Sequence, residues 1–97
     1  MHLVQLLLPV KADSDAAIAQ TRDELVDIYD GVTAYVRSAA RGAWLAPDGK
    51  QEHDDVIMVE VVVHTLDREW WREYRDTLAA RFGEEQIHVR IIPAELV

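Results

Sequence analysis

Apolar and polar positions alternate most regularly along residues 54–65. Ile57, Val59, Val61 and Val63 fall on one face, and Val56, Met58, Glu60, Val62 and His64 on the other. A period of two predicts a strand with an aliphatic face against a core and a mixed face turned away. "LVQLLLPV" (3–10) has almost no polar position, as in a strand covered on both faces. One parity holds Val4, Leu6, Leu8 and Val10, the other Leu3, Gln5 and Leu7. In "QIHVRIIP" (86–93), Ile87, Val89 and Ile91 oppose His88, Arg90 and Ile92. Pro93, which cannot donate to a ladder, predicts an edge position.

Two segments change period. Over 12–31, Ile18, Thr21, Leu25, Ile28 and Tyr29 recur at helical spacing. Asp13 or Ser14 is placed to cap that helix, Asp15 suits its positive end, and Gly31 suits a left-handed stop. Over 66–85, Trp71, Tyr74, Leu78 and Phe82 form an apolar stripe, with Asp67 as cap and Gly83 as stop. Trp70 lies about 100° from Trp71 around the axis, so it covers the flank of the stripe. Glu69, Arg72, Glu73 and Asp76 face water.

"VTAYVR" (32–37) is a second strand, with Val32, Ala34 and Val36 inward and Thr33, Tyr35 and Arg37 outward. Ser38, Ala39, Ala40 and Gly42 suit a pleated surface poorly. They predict a bend or bulge leading into a hairpin arm, with Arg41 projecting from it and Trp44 returning the chain to apolar cover. A plain irregular hairpin is the alternative. "APDGK" (46–50) is the turn.

The order β-α-β-β-α-β predicts an α+β, ferredoxin-like fold: a four-stranded antiparallel sheet with two helices on one face. Strands one and three, the most apolar, should be central. A chain of 97 residues makes a single domain over 1–97. It has no cysteine, which excludes disulfides and thiol chemistry. Its net charge of -8, with no run of Lys and Arg, argues against nucleic acid. No apolar run is long enough to cross a bilayer, and "MHLVQLLLPVKADSD" lacks the pattern of an export signal, so a cytoplasmic location is expected.

"GVTAY", then "GAW", "VEVVV", and "WW" opening a helix that ends in "FG", resembles a group of small bacterial proteins of unknown function. The likeness covers about residues 25 to 97, with Tyr29-Asp30-Gly31 standing where that group carries Phe-Gly-Gly. It implies a ferredoxin-like fold and a homodimer, and it imports no reaction.

Candidate chemistry follows from the face left open by the helices. Leu3, Leu7, Met58, Val62 and Ile92 form an apolar field carrying Gln5, Tyr35, Arg37, Glu60, His64, His88 and Arg90. Such a patch predicts sheets stacked in a homodimer, with Glu60 paired to Arg37 or Arg90. If the stacked sheets enclose a cleft, Glu60 and His64 are the candidate acid–base residues. Tyr35, Arg37, Arg41, His88 and Arg90 are then candidate ligand anchors.

Three other features carry less. His53, Asp54 and Asp55 have no second cluster to complete a metal site. Ser38 lacks the glycines of a nucleophile elbow, and Trp70 with Trp71 reads as packing.

The expectation is a homodimer with a small-molecule role, needing no metal or cofactor. The alternatives are a cofactor-independent acid–base enzyme of oxygenase or isomerase type, and a protein-interaction module using the acidic helices.

Overall fold

The computed structural model describes the backbone of residues 1–45 and 51–97, and side chains for 1–31 and 56–97. The elements are β1 (His2–Pro9), α1 (Asp15–Ile28), β2 (Gly31–Leu45), β3 (Gln51–Val63), α2 (Arg68–Phe82) and β4 (His88–Pro93). The fold is α+β. The strands form an antiparallel sheet in the order β2-β3-β1-β4, with β1 and β3 inside and β4 on an edge.

Alternation sets which face meets the helices. Val4, Leu6 and Leu8 of β1 and Val59, Val61 and Val63 of β3 are buried, and they pack with Leu25 of α1 and Trp71, Tyr74, Leu78 and Phe82 of α2. Each such side chain removed from water contributes about 1.5–3 kcal/mol. Both helices therefore cover one face of the sheet. Leu3, Gln5, Leu7, Met58, Glu60 and Val62 point the other way and are half-buried.

α2 follows its local signals. The Asp67 carboxylate accepts from the Trp70 amide at 3.1 Å, satisfying a free donor of the first turn. Gly83 ends the helix at φ 66, a conformation that costs an L side chain about 1–2 kcal/mol.

α1 departs from expectation at both ends. Ser14 is the N-cap residue, yet its hydroxyl bonds back to the amide and carbonyl of Lys11 and leaves the helix amides alone. Tyr29, in extended backbone, closes the helix, and Gly31 has no positive φ. Gly31 instead opens β2, where a Cβ would lie 3.2 Å from Val62 Cβ. Close strand approach, and not handedness, explains a glycine there. Ile28 keeps the helical face of Thr21, seven residues earlier, but overhangs the core and is 55% exposed. Val10 is also outside, because Pro9 lacks the amide needed to extend the ladder.

β2 and β3 run longer than 32–37 and 54–65 suggest at the hairpin end, and the turn at 46–50 lies outside the described residues. Their register breaks as the weak segment predicts. Arg37 pairs with Val56 and Gly42 with Asp54, so five steps along β2 match two along β3. The segment 38–42, with Ser38, Ala39, Ala40 and Gly42, thus spans an irregularity in a continuous strand pair.

Candidate functional site

The open face is built from register. Gln5 is paired to Glu60 on one side and Arg90 on the other, and Leu7 likewise to Met58 and His88. Leu3 lies between Val62 and Ile92. Three cross-strand rows result, two apolar at their centres and one polar between them.

In the polar row, Gln5 Nε2 donates to Glu60 Oε2 at 2.8 Å. Within one chain Glu60 is therefore held by Gln5, which separates it from Arg90. Of the two partners expected for Glu60, Arg90 does not pair with it within the chain, and the side chain of Arg37 lies outside the described residues. Arg90 and His88 are exposed on β4, while Ile92 is 40% exposed. Val56 shares this parity and is buried without joining the helix-side core. The side chains of Tyr35, Arg37 and Arg41 lie outside the described residues; the backbone pairs Tyr35 with Met58 and Arg37 with Val56. His53, Asp54, Asp55, Ser38 and Trp44 fall outside in the same sense.

His64 does not join Glu60. It sits in a bend one residue past β3, exposed, with Val62 between the two, and no hydrogen bond links them. It lines a cleft of about 400 Å³ instead, with Ile28, Tyr29, Asp30, Gly31, Val62 and Val63. That volume is within the range of small-molecule sites. Val62 belongs to both the open face and the cleft, so the two are continuous. The overhang of Ile28 supplies one apolar wall. Tyr29, on another, has its phenol raised by burial and then by the nearby Asp67 carboxylate.

Sequence patterning missed a polar network between the helices. Arg81 of α2 places Nη1 and Nη2 each 2.8 Å from the two oxygens of Glu24 on α1, and Nη1 also reaches Thr21 Oγ1 at 2.9 Å. The Tyr74 hydroxyl donates to Glu24 Oε1 at 2.9 Å. Thr21 in turn donates to the Ala17 carbonyl at 2.8 Å, so a buried hydroxyl is fully used.

Electrostatics follow from those contacts. The hydrogen bond from Arg81 holds the Glu24 carboxyl below its usual value, against the opposing effect of burial. Burial, then the bond to Glu24, pushes the Tyr74 phenol up to about 12. For Arg81 burial acts downward, but the Glu24 contacts outweigh it and the guanidinium is held above its ordinary value. Thr21 within an apolar stripe was the only sequence signal for this network.

Tyr29, Trp70, Trp71 and Tyr74 form an aromatic cluster beside it. Tyr29 stacks on Trp71 with centroids 5.5 Å apart, and Trp70 on Tyr74 at 4.9 Å. Trp71 is core and Trp70 flank, as the helical spacing requires.

Among the described residues, no group of three or more His, Asp or Glu side chains is arranged to hold a metal ion, and no helix is long and apolar enough to cross a membrane. Comparison of the chain with protein-family models and with curated proteins gave no match.

Proposed function

We propose that this chain is a ferredoxin-like domain, as the resemblance implies, that self-associates through the open face of its sheet. We further assign it a small-molecule role at the His64 end of that face. The observation that carries this reading is the composition of the face. Half-buried Leu3, Leu7, Met58 and Val62 surround the hydrogen-bonded pair Gln5–Glu60. A contiguous apolar surface around one satisfied polar pair favours a second copy of the same sheet. The buried pair would fix the register of the two copies, since a shifted docking leaves it without solvent or partner. Stacking would also roof the cleft beside Val62, turning an open hollow into an enclosed site for a small ligand. An acidic chain without cysteine suits a reducing cytoplasmic setting.

Sedimentation velocity over a range of concentrations tests the reading. The native chain should sediment as a dimer, and Leu7→Lys, which sets a charge at the centre of the face, as a folded monomer. A native chain that stays monomeric at high concentration would rule out the association. A fragment screen by NMR tests the ligand role. Binders should perturb His64 and Ile28 in the native dimer and lose affinity in Leu7→Lys. Equal binding to both forms would show that the face does not complete the cleft.

A further inference from the structure

The sequence shows no run of basic residues, yet the fold assembles one. Arg68, Arg72 and Arg75 recur at i, i+4 and i+7, which brings them to one side of α2. Together with Trp71, Val89 and Ile91 they line an open groove of about 160 Å³ between α2 and the edge strand β4. Three of the eight arginines of a chain with net charge -8 thus share one small site.

Their local partners are weak. Arg72 reaches Glu69 at 3.5 Å and Arg75 reaches Asp76 at 3.4 Å, all on exposed side chains of the same helix. Arg68 makes no ion pair among the described residues. Three like charges at this spacing repel one another unless an anion lies between them. The opposite wall is apolar, made by Val89 and Ile91. Trp71 is 2% exposed, and its indole N–H is buried without an acceptor among the described residues. Such a donor is costly to leave unmade.

At Arg75 the groove meets a second hollow, which lies against Gln86 and Ile87 ahead of β4 and changes sign by gaining Asp76 and Glu85. An anion is therefore confined to the end nearest Arg68. The site lies on the helix side of the sheet and shares no lining residue with the His64 cleft.

We infer that the groove between α2 and β4 binds a small organic acid, its carboxylate held by Arg68, Arg72 and Arg75 and its apolar body lying against Trp71, Val89 and Ile91. Guanidinium groups suit a planar carboxylate because two N–H donors meet two oxygens, and they also stack on aromatic rings. The small volume selects a single ring or a short aliphatic chain over a nucleotide.

Benzoate, with benzamide as its uncharged counterpart, tests the inference on the full chain by NMR. Benzoate should saturably shift the Trp71 indole N–H and the Val89 and Ile91 methyls, and benzamide should bind about tenfold more weakly. Arg68→Gln with Arg72→Gln should weaken benzoate about tenfold or more while the thermal melt stays cooperative. His64→Ala should leave benzoate binding unchanged, which separates this site from the cleft. Equal affinity for benzoate and benzamide, or shifts scattered over the surface without saturation, would overturn the inference on the native chain alone. Unchanged benzoate affinity in the double variant would do so as well.

Discussion

Arg81 grips Glu24 across the two helices, one guanidinium nitrogen on each carboxylate oxygen at 2.8 Å. The pair joins residues 57 apart in sequence and sits at the rim of the core, with the Arg81 side chain 13% exposed and Glu24 36%. Solvent at Glu24 screens the attraction, so the pair is worth less than a dry one. A double-mutant cycle with Glu24→Gln and Arg81→Gln should give a coupling of about 1–2 kcal/mol in urea unfolding. A coupling near zero would mean that the two side chains separate in solution.

The same network sets a pH window for stability. The Tyr74 phenol is pushed up to about 12 from its ordinary value of 10.0, so its contribution is complete below about pH 10 and is lost as pH rises through 12. Glu24 is lowered, so its contribution is complete above about pH 4.5 and is lost as pH falls through its depressed pKa. Urea midpoints measured from pH 3 to 12 should fall at both ends. Tyr74→Phe should flatten the alkaline limb, and an unchanged alkaline fall would assign that loss to other groups, Tyr29 first among them.

Leu78 is fully buried within the α2 stripe, against a sheet face that offers no polar partner. Leu78→Ala should cost about 2–5 kcal/mol, measured by urea unfolding. Val26 is 55% exposed on α1, and Val26→Ala should change stability by less than about 0.5 kcal/mol. Similar costs at the two sites would mean that the burial pattern differs in solution.

Two glycines should fail for different reasons. At Gly83 the space is open but φ is 66, so Gly83→Ala should cost about 1 kcal/mol and Gly83→Asn less. At Gly31 the added Cβ meets Val62 Cβ at 3.2 Å, an atom fixed to the backbone of the neighbouring strand. Gly31→Ala should therefore destabilise by pushing β2 from β3, and Gly31→Val should do so more. Thermal melts rank the set, and a Gly83→Asn no better than Gly83→Ala would argue against the left-handed stop.

On the open face, Gln5→Leu removes the donor that holds Glu60 at 2.8 Å. If the face is buried between two subunits, this change leaves a carboxylate without a partner. Dimer dissociation should then increase by about tenfold, read by sedimentation equilibrium. No change in dissociation would place Glu60 outside the interface.

Much of this architecture was already legible in local patterns. The period of two in β1, β3 and β4 assigned Val4, Leu6, Val59 and Val61 to the core and Gln5, Glu60 and His88 to the other face. The spacing of Trp71, Tyr74, Leu78 and Phe82, with Asp67 before and Gly83 after, defined α2 nearly to its ends. These signals are local because backbone geometry alone turns sequence spacing into direction. Contacts between distant elements were not legible in that way. Glu24 meeting Arg81, Gly31 pressed on Val62, His64 parted from Glu60, and three arginines facing β4 all depend on how the helices settle on the sheet. Each side chain's spacing fixes only the face it occupies. Which atoms lie opposite is decided by packing, and there the tertiary structure had the last word.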